Sequence, residues 1–107
     1  MSAIDKIKDH YNALDTGESK YFEAWDETFC KSPMNMKQKG RLYKKIEVDA
    51  IEGLVYAIIE LALDKQGKPA FKLEDKQILM NKADPDLLSE LATWLMQSPS
   101  KKQVKKN

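Results

Sequence analysis

Apolar side chains recur every three or four residues near the start of the chain, and this period predicts an amphipathic helix. The apolar positions are Ile4, Ile7, Tyr11 and Leu14. Ser2 followed by Asp5 has the pattern of a capping box at the start of such a helix. We therefore predict a helix over residues 3–14 that ends before Gly17.

The period then changes to one typical of strands. Residues 20–31 carry aromatic side chains and threonine around a polar Asp26-Glu27 centre, which predicts a β-hairpin with a tight turn. Pro33 lacks the N–H group that a strand ladder requires, so the second strand must end near it. Asn35 stands at the N-cap position of the next predicted helix.

Two predicted helices follow, and they differ in the cover that they need. The first, over residues 36–46, is amphipathic, and Gly40 either weakens it or allows the close approach of a neighbour. The second, over residues 48–63, is apolar nearly all round. Its only polar stripe consists of Asp49, Glu52 and Glu60, together with the Tyr56 hydroxyl. We expect it to be covered either by every other element of the domain or by a second copy of the protein.

The last part of the chain predicts a turn and two more helices. The turn covers residues 64–69, Phe71 is predicted to plug into the core, and a short helix follows over residues 73–82. Asp84 and Pro85 are a strong start signal for the final helix. Its inward side is predicted to present Leu87, Leu88, Leu91, Ala92 and Leu95, with Trp94 at the border.

These elements predict a mainly α fold, namely a small helical domain with an N-terminal β-hairpin. The domain spans residues 1–98, and residues 99–107 are predicted to form a basic flexible tail because Val104 is the only apolar residue there. A chain of 107 residues has room for one hydrophobic core and not for two.

The formal net charge of +1 is an average over two different parts. Lys101, Lys102, Lys105 and Lys106 lie in the last seven residues. The first 99 residues therefore carry 14 basic and 17 acidic side chains. The chain has an acidic body and a basic tail.

Side chains suited to catalysis are scarce. The chain has one histidine, His10, and one cysteine, Cys30, on different predicted elements, whereas nucleophilic or metal-based catalysis needs several convergent groups. We interpret Cys30 as a small buried hydrophobe and His10 as a solvated side chain. The sequence contains no phosphate-cradling glycine motif, dinucleotide fingerprint or cysteine pair with metal spacing. We predict no enzyme activity, no catalytic or metal site and no cofactor.

The sequence also allows a prediction of the cellular compartment in which the protein is found. A single cysteine cannot form an internal disulfide, no apolar run resembles a signal peptide, and no stretch is long enough to span a bilayer. We expect a soluble cytosolic protein with no membrane partner.

A basic helix supports an alternative function, a small nucleic-acid-binding regulator. Its cations are Lys37, Lys39, Arg41, Lys44 and Lys45, and the lysine tail adds to them. An acidic body opposes a phosphate backbone, and a charge run is usually a solvated face. Nucleic acid is therefore kept as the alternative partner.

A particular order of features runs from residue 10 to residue 97. The pieces are an aromatic hairpin around Trp25-Asp26, then Arg41-Leu42-Tyr43-Lys44, then Val55-Tyr56-Ala57-Ile58-Ile59, a turn and a final Asp84-Pro85-Asp86-Leu87-Leu88. The most specific piece is the turn Asp64-Lys65-Gln66-Gly67-Lys68-Pro69-Ala70-Phe71, followed by an acidic-capped short helix. In this order the chain resembles the tail assembly chaperones of long-tailed, siphovirus-type bacteriophages.

The resemblance implies a non-enzymatic assembly factor that is made in the host cytoplasm and is absent from the mature virion. Such proteins coat and solubilise the tape measure protein while the tail tube polymerises around it, and self-association is expected. The family also commonly makes a longer, frameshifted product that recruits the tail tube protein. The tail Lys101-Lys102-Gln103-Val104-Lys105-Lys106-Asn107 can be encoded by adenine runs on which a ribosome slips, or it is simply a basic solubilising tail.

Apolar and aromatic residues of two predicted helices are the candidates for partner binding. They are Leu54, Tyr56, Ile58, Ile59, Leu87, Leu91 and Trp94. The alternative, that residues of the 48–63 helix are simply core, stays open.

Overall fold

The computed structural model describes residues 2–14 and 18–98, and it confirms the predicted class: a small, mainly α-helical domain with an antiparallel hairpin near its amino terminus. The elements in chain order are α1 (Ala3–Asn12), β1 (Glu18–Phe22), β2 (Glu27–Lys31), α2 (Met36–Val48), α3 (Ala50–Leu61), α4 (Lys76–Asn81) and α5 (Pro85–Met96). Short 3-10 turns at Glu23–Trp25 and Leu73–Asp75 precede β2 and α4. The predicted tail, residues 99–107, lies outside the described residues.

Three predicted helix starts are confirmed. The side chains of Ser2, Asn35 and Asp84 each accept a hydrogen bond from a backbone N–H in the first turn of the helix that follows, at 3.3, 2.8 and 2.9 Å. These bonds satisfy donors that a helix cannot satisfy internally. The end of α1 was predicted two residues too late, because the helix ends at Asn12 and Leu14 packs into the body of the domain as a buried side chain.

A single residue, Asp49, separates α2 from α3. Its backbone is extended, its N–H donates to the Lys45 carbonyl at 3.0 Å, and its carboxylate accepts from the Glu52 N–H at 3.1 Å. Asp49 therefore ends one helix and caps the next, which turns the chain sharply and folds α2 back on α3.

The two helices cross closely at Gly53. A Cβ atom on Gly53 would lie 2.5 Å from both the Cα and the backbone N of Ile46, whereas one on Gly40 would meet nothing within 4 Å. The close approach that the sequence left open for Gly40 is therefore made by Gly53. Gly40 lies on the exposed side of α2, where it acts only through helix propensity.

Helix α3 is the centre of the core. It packs against α2, α4 and α5, and Val55, Ala57, Ile58 and Leu61 are all buried. From α5, Leu91, Ala92 and Leu95 are buried as predicted, while Leu87 and Leu88 are half-buried. Of the two sources of cover that the sequence allowed, the chain itself supplies most of it.

The hairpin closes one end of this core with aromatic side chains. Phe22 and Phe29 are buried, with ring centroids 5.9 Å apart, and Trp25 packs on both of them. Phe71 stacks on Phe29 at 5.6 Å but is only half-buried, so it packs against the core and does not plug into it as predicted. Asp26 makes the tight turn with φ at +49°.

Backbone bonds join the hairpin to Leu63, the residue before the turn over residues 64–69. Cys30 and Leu63 exchange two hydrogen bonds of 2.8 and 3.0 Å, so the chain after α3 adds a short strand-like pairing to β2. The Asp64 carboxylate then accepts from two backbone N–H groups, and Gly67 adopts φ +82°. Such a conformation favours glycine.

A buried lysine fastens the hairpin to α5. The Lys31 Nζ donates to the carbonyls of Trp94 and Gln97 at the end of α5 and lies 3.6 Å from the Glu18 carboxylate. Only 1% of Lys31 is exposed, and this burial lowers its pKa, although Glu18 acts in the opposite direction. A cation at the carboxyl end of a helix also meets the negative end of the helix dipole.

We predict opposite effects for alanine at Gly53 and at Gly40. Gly53→Ala should destabilise the domain by about 1–3 kcal/mol, because its methyl group overlaps backbone atoms that cannot turn aside. Gly40→Ala should stabilise it by about 0.4–1 kcal/mol. Urea denaturation followed by circular dichroism measures both; equal stability of the two variants would contradict the close crossing.

We also predict that Lys31→Met lowers the free energy of unfolding by about 1–3 kcal/mol, since the partly buried carbonyls of Trp94 and Gln97 lose their donor. Lys20→Met is the matched control. Lys20 is a half-buried lysine on the neighbouring strand whose ion pair with Glu90 spans 3.4 Å. Its loss should change stability by about 0.5 kcal/mol or less. If both variants unfold at the same urea concentration, the contact of Lys31 with the end of α5 does not stabilise the domain as predicted.

Candidate partner-binding surface

An apolar cleft opens between α3, α4 and α5. Its walls and rim are Ile51, Leu54, Met80, Ala83, Pro85 and Leu88, and its floor is formed by the buried Val55, Ile58 and Leu79. The enclosed space is about 80 Å³. The cleft exists because the short α4 covers only part of α3.

A second cavity continues this cleft toward the hairpin. It has a volume of about 320 Å³ and shares Leu79, Ala83 and Leu88 with the first. Its far side is aromatic, with Trp25, Phe29 and Phe71. Its charged lining consists of Glu27, Lys82 and Asp84. We call the two cavities together the apolar groove.

The groove presents apolar side chains to solvent. Ile51 is 62% exposed and Met80 is 36% exposed, while Leu54 and Leu88 are half-buried. An elongated apolar groove with a few charges is the type of surface into which an amphipathic helix lays its apolar face. The arrangement can bind a protein segment without any bond-making chemistry.

The predicted partner-binding residues do not all lie on one surface. Leu54 lies on the groove wall and Ile58 on its floor. Ile58 and Leu91 have no exposed surface at all, so in this conformation they are core residues, as the alternative interpretation had it for Ile58. Ile59 and Leu87 are half-buried and pack against the core cluster.

Trp94 and Tyr56 are held by cations. The Trp94 ring lies 4.5 Å from the Lys31 Nζ. The Tyr56 ring has Lys45 at 4.4 Å and Lys76 at 4.8 Å, and its hydroxyl accepts from Lys76 at 3.3 Å. Both aromatic residues are half-buried, and the structure uses them to anchor neighbouring elements.

Sequence reasoning missed much of the groove. Ile51, Met80 and Phe71 line it, although none was a predicted partner-binding residue. Ile51 precedes Leu54 by three residues on α3, so the helical period could have joined the two. No local signal could place Met80 or Phe71 beside them, because they come from other elements.

Helix α1 carries a second exposed apolar surface. All ten of its residues are exposed, with Ile4 at 62%, Ile7 at 63% and Tyr11 at 40%. The predicted seam is thus real as a helical stripe, yet it is not used in the core. His10 is also exposed, in agreement with its interpretation as a solvated side chain.

The basic face of α2 is partly neutralised by α3. The Arg41 guanidinium forms two hydrogen bonds with the Glu60 carboxylate, of 2.8 and 2.7 Å, and Gln38 donates to the same carboxylate at 3.1 Å. The Arg41 bond lowers the pKa of Glu60, and Gln38 adds to the effect against the opposing influence of burial. Three of the five cations of the predicted basic helix contact other side chains of the domain: Arg41 pairs with Glu60, Lys45 lies over the Tyr56 ring, and Lys39 lies 5.7 Å from the Tyr43 ring.

Residues 2–14 and 18–98 contain no group of side chains placed to hold a metal ion. No three His, Cys, Asp or Glu side chains in these ranges come together as metal ligands would. Cys30 is half-buried rather than fully buried. No helix in the same ranges combines the length and the apolar character needed to cross a membrane.

The Arg41–Glu60 pair predicts a pH dependence of stability. Because the pKa of Glu60 is lowered in the folded state, the pair stabilises the fold fully above the ordinary carboxyl pKa and loses this contribution as the pH falls through the folded pKa. Wild type should therefore exceed Glu60→Gln in stability at about pH 7, and the difference should shrink by about pH 3. Urea denaturation at both pH values measures it; a constant difference would contradict a charge-based role.

Comparisons of the chain with protein-family models, with curated proteins and with solved structures give no match. The function must therefore be inferred from the groove and from the sequence resemblance.

Proposed function

We propose that the protein is a non-enzymatic tail assembly chaperone of a long-tailed bacteriophage, which binds the tape measure protein and keeps it soluble while the tail tube polymerises. The observation that carries the proposal is the apolar groove between α3, α4 and α5, open to solvent on a very small domain. The resemblance in the order of sequence features supports the family, and the groove supports the binding of a long helical client.

The groove suits a client that must be held without selecting one sequence. Its walls include Met80 and several aliphatic side chains, and methionine adapts its shape to different partners. Each contact buries only a few apolar groups, so the affinity of one copy is modest. Many copies along one client would still hold it firmly, because binding at neighbouring sites adds up through effective concentration.

The charges of the domain support a protein client over a nucleic acid. Residues 1–99 carry more acidic than basic side chains, and Arg41 and Lys45 are occupied by Glu60 and Tyr56. A phosphate backbone would meet fewer available cations than the sequence of α2 suggests. The experiment below therefore has to distinguish a chaperone from a nucleic-acid-binding regulator.

The proposal extends to the location and further partners of the protein. It acts in the host cytoplasm and is absent from the finished virion. A longer product, made by frameshifting near the end of the gene, would bring tail tube subunits to the coated client. The nucleotide sequence of the gene tests the proposal of a longer product. A slippery run in the last codons, with an overlapping reading frame beyond it, would support the proposal. The absence of both would contradict it.

We predict that Ile51→Glu weakens client binding about tenfold, because it places a charge in the groove where an apolar side chain is needed. Ile78→Glu is the matched control. Ile78 is 59% exposed against 62% for Ile51, and it does not line either cavity of the groove. The measurement is the soluble yield of the long helical protein encoded by the same genome, co-expressed with each variant.

The salt dependence of binding separates the two functions. Binding through the groove should change little between low and high salt, whereas binding to nucleic acid should fall steeply. The proposal fails if wild type does not raise the soluble yield of the client, or if Ile51→Glu and Ile78→Glu act alike. Tight DNA or RNA binding that salt abolishes would favour the regulator instead.

A further inference from the structure

Within residues 2–14 and 18–98, no other element covers the apolar seam of the amphipathic helix α1. Its apolar seam includes Ile4, Ile7 and Tyr11, all of them exposed. A helix of ten residues is marginal in water when it stands alone, since its few internal hydrogen bonds barely offset the entropy of ordering it. The seam would be stabilised by an apolar surface, and the described residues of the same copy do not supply one.

The contacts of α1 with its own domain lie at its carboxyl end. The Tyr11 hydroxyl donates to the Pro33 carbonyl at 3.4 Å, and Leu14, just beyond the helix, is buried. The rest of α1 projects. In agreement with this, the radius of gyration is 15.2 Å and the longest extent 50 Å, whereas a compact domain of this size has a radius of gyration of about 12–13 Å.

The apolar groove is complementary to the apolar seam of α1 and to the positive charge of Lys8 beside it. Ten helical residues span about 15 Å, and the groove offers aliphatic and aromatic side chains from two adjoining cavities. Lys8 follows Ile4 by one helical turn and so flanks the seam. The groove carries Glu27 and Asp84 against the single cation Lys82, which favours a basic flank on its occupant.

We propose that α1 of one copy docks in the apolar groove of a second copy of the chain. A helix of the same chain would have to release Leu14 and Tyr11 from their present contacts before it could turn into its own groove, whereas a second copy needs no such release. Docking between copies covers both exposed surfaces at once. A reciprocal exchange closes as a dimer, and a head-to-tail one continues as a chain of copies.

Docking between copies concerns the protein without any client and goes beyond the proposed function, whereas competition with a client helix rests on that function. The neighbour's α1 fills the groove in the free protein, and a client helix competes for the same place. Free copies would thus keep their apolar surface covered until a client is present. The experiment uses the protein alone, so its failure leaves client binding through the groove as a separate question.

The experiment is sedimentation velocity of the full chain over a range of protein concentrations. Wild type should associate as concentration rises. Ile7→Lys, which puts a charge in the seam, and Ile51→Glu, which puts one in the groove, should each raise the dissociation constant about tenfold or more. The matched controls are Asn12→Lys, with the same charge change outside the apolar seam of α1, and Ile78→Glu, with the same change on an exposed isoleucine of α4. Both controls should associate like wild type.

Mixing the two impaired variants gives the sharpest outcome. The chain with Ile51→Glu keeps an intact α1, and the chain with Ile7→Lys keeps an intact groove, so an equimolar mixture should associate where each variant alone does not. In the other contact of the mixed pair, the lysine introduced into α1 of one chain faces the glutamate introduced into the groove of the other chain. A wild type that stays monomeric at every concentration overturns the proposal. So does a mixture that associates no better than its components, or a control that is impaired as strongly as Ile7→Lys.

Discussion

The need to cover an apolar helix is the constraint on which the rest of this structure depends. Helix α3 is apolar on nearly every side, and a domain of this size has few elements with which to surround it. The one-residue corner at Asp49 folds α2 back onto it, and Gly53 lets the two backbones approach. Helix α5 covers a second side. The short α4 covers only part of a third, and the groove is what remains open.

Polar contacts orient the elements that cover α3. The Arg41–Glu60 pair joins α2 to α3, and Lys76 reaches the Glu52 carboxylate from α4 at 2.6 Å. Both pairs are largely at the surface, where ion pairs contribute little to stability, so their main effect is to set how the helices lie. Lys31 differs because it is buried. Its ammonium group joins the hairpin to the end of α5, and its burial makes the loss of this contact costly.

The same shortage of cover explains the surface of the protein. Apolar residues that a larger domain would bury remain accessible in the groove and on α1. Surfaces of this kind mark sites of protein association. The groove and the exposed amphipathic helix are the two surfaces on which the proposals of client binding and of docking between copies rest.

Local sequence signals determined the helices, the hairpin and their caps. Asn35 and Asp84 begin helices because short-range bonds decide where a helix starts, and the aromatic hairpin follows from the composition of about twelve residues. The polar stripe and the long apolar run also indicated correctly that α3 would be central. Only the tertiary structure decided which of two glycines lies at the crossing, that Ile58 and Leu91 are core, and that α1 stays outside. The groove was also decided only by the tertiary structure, since Ile51, Met80 and Phe71 meet only through the packing of separate elements. Periodicity shows that a helix has an apolar face, but the partner of that face is set by contacts between residues far apart in the chain.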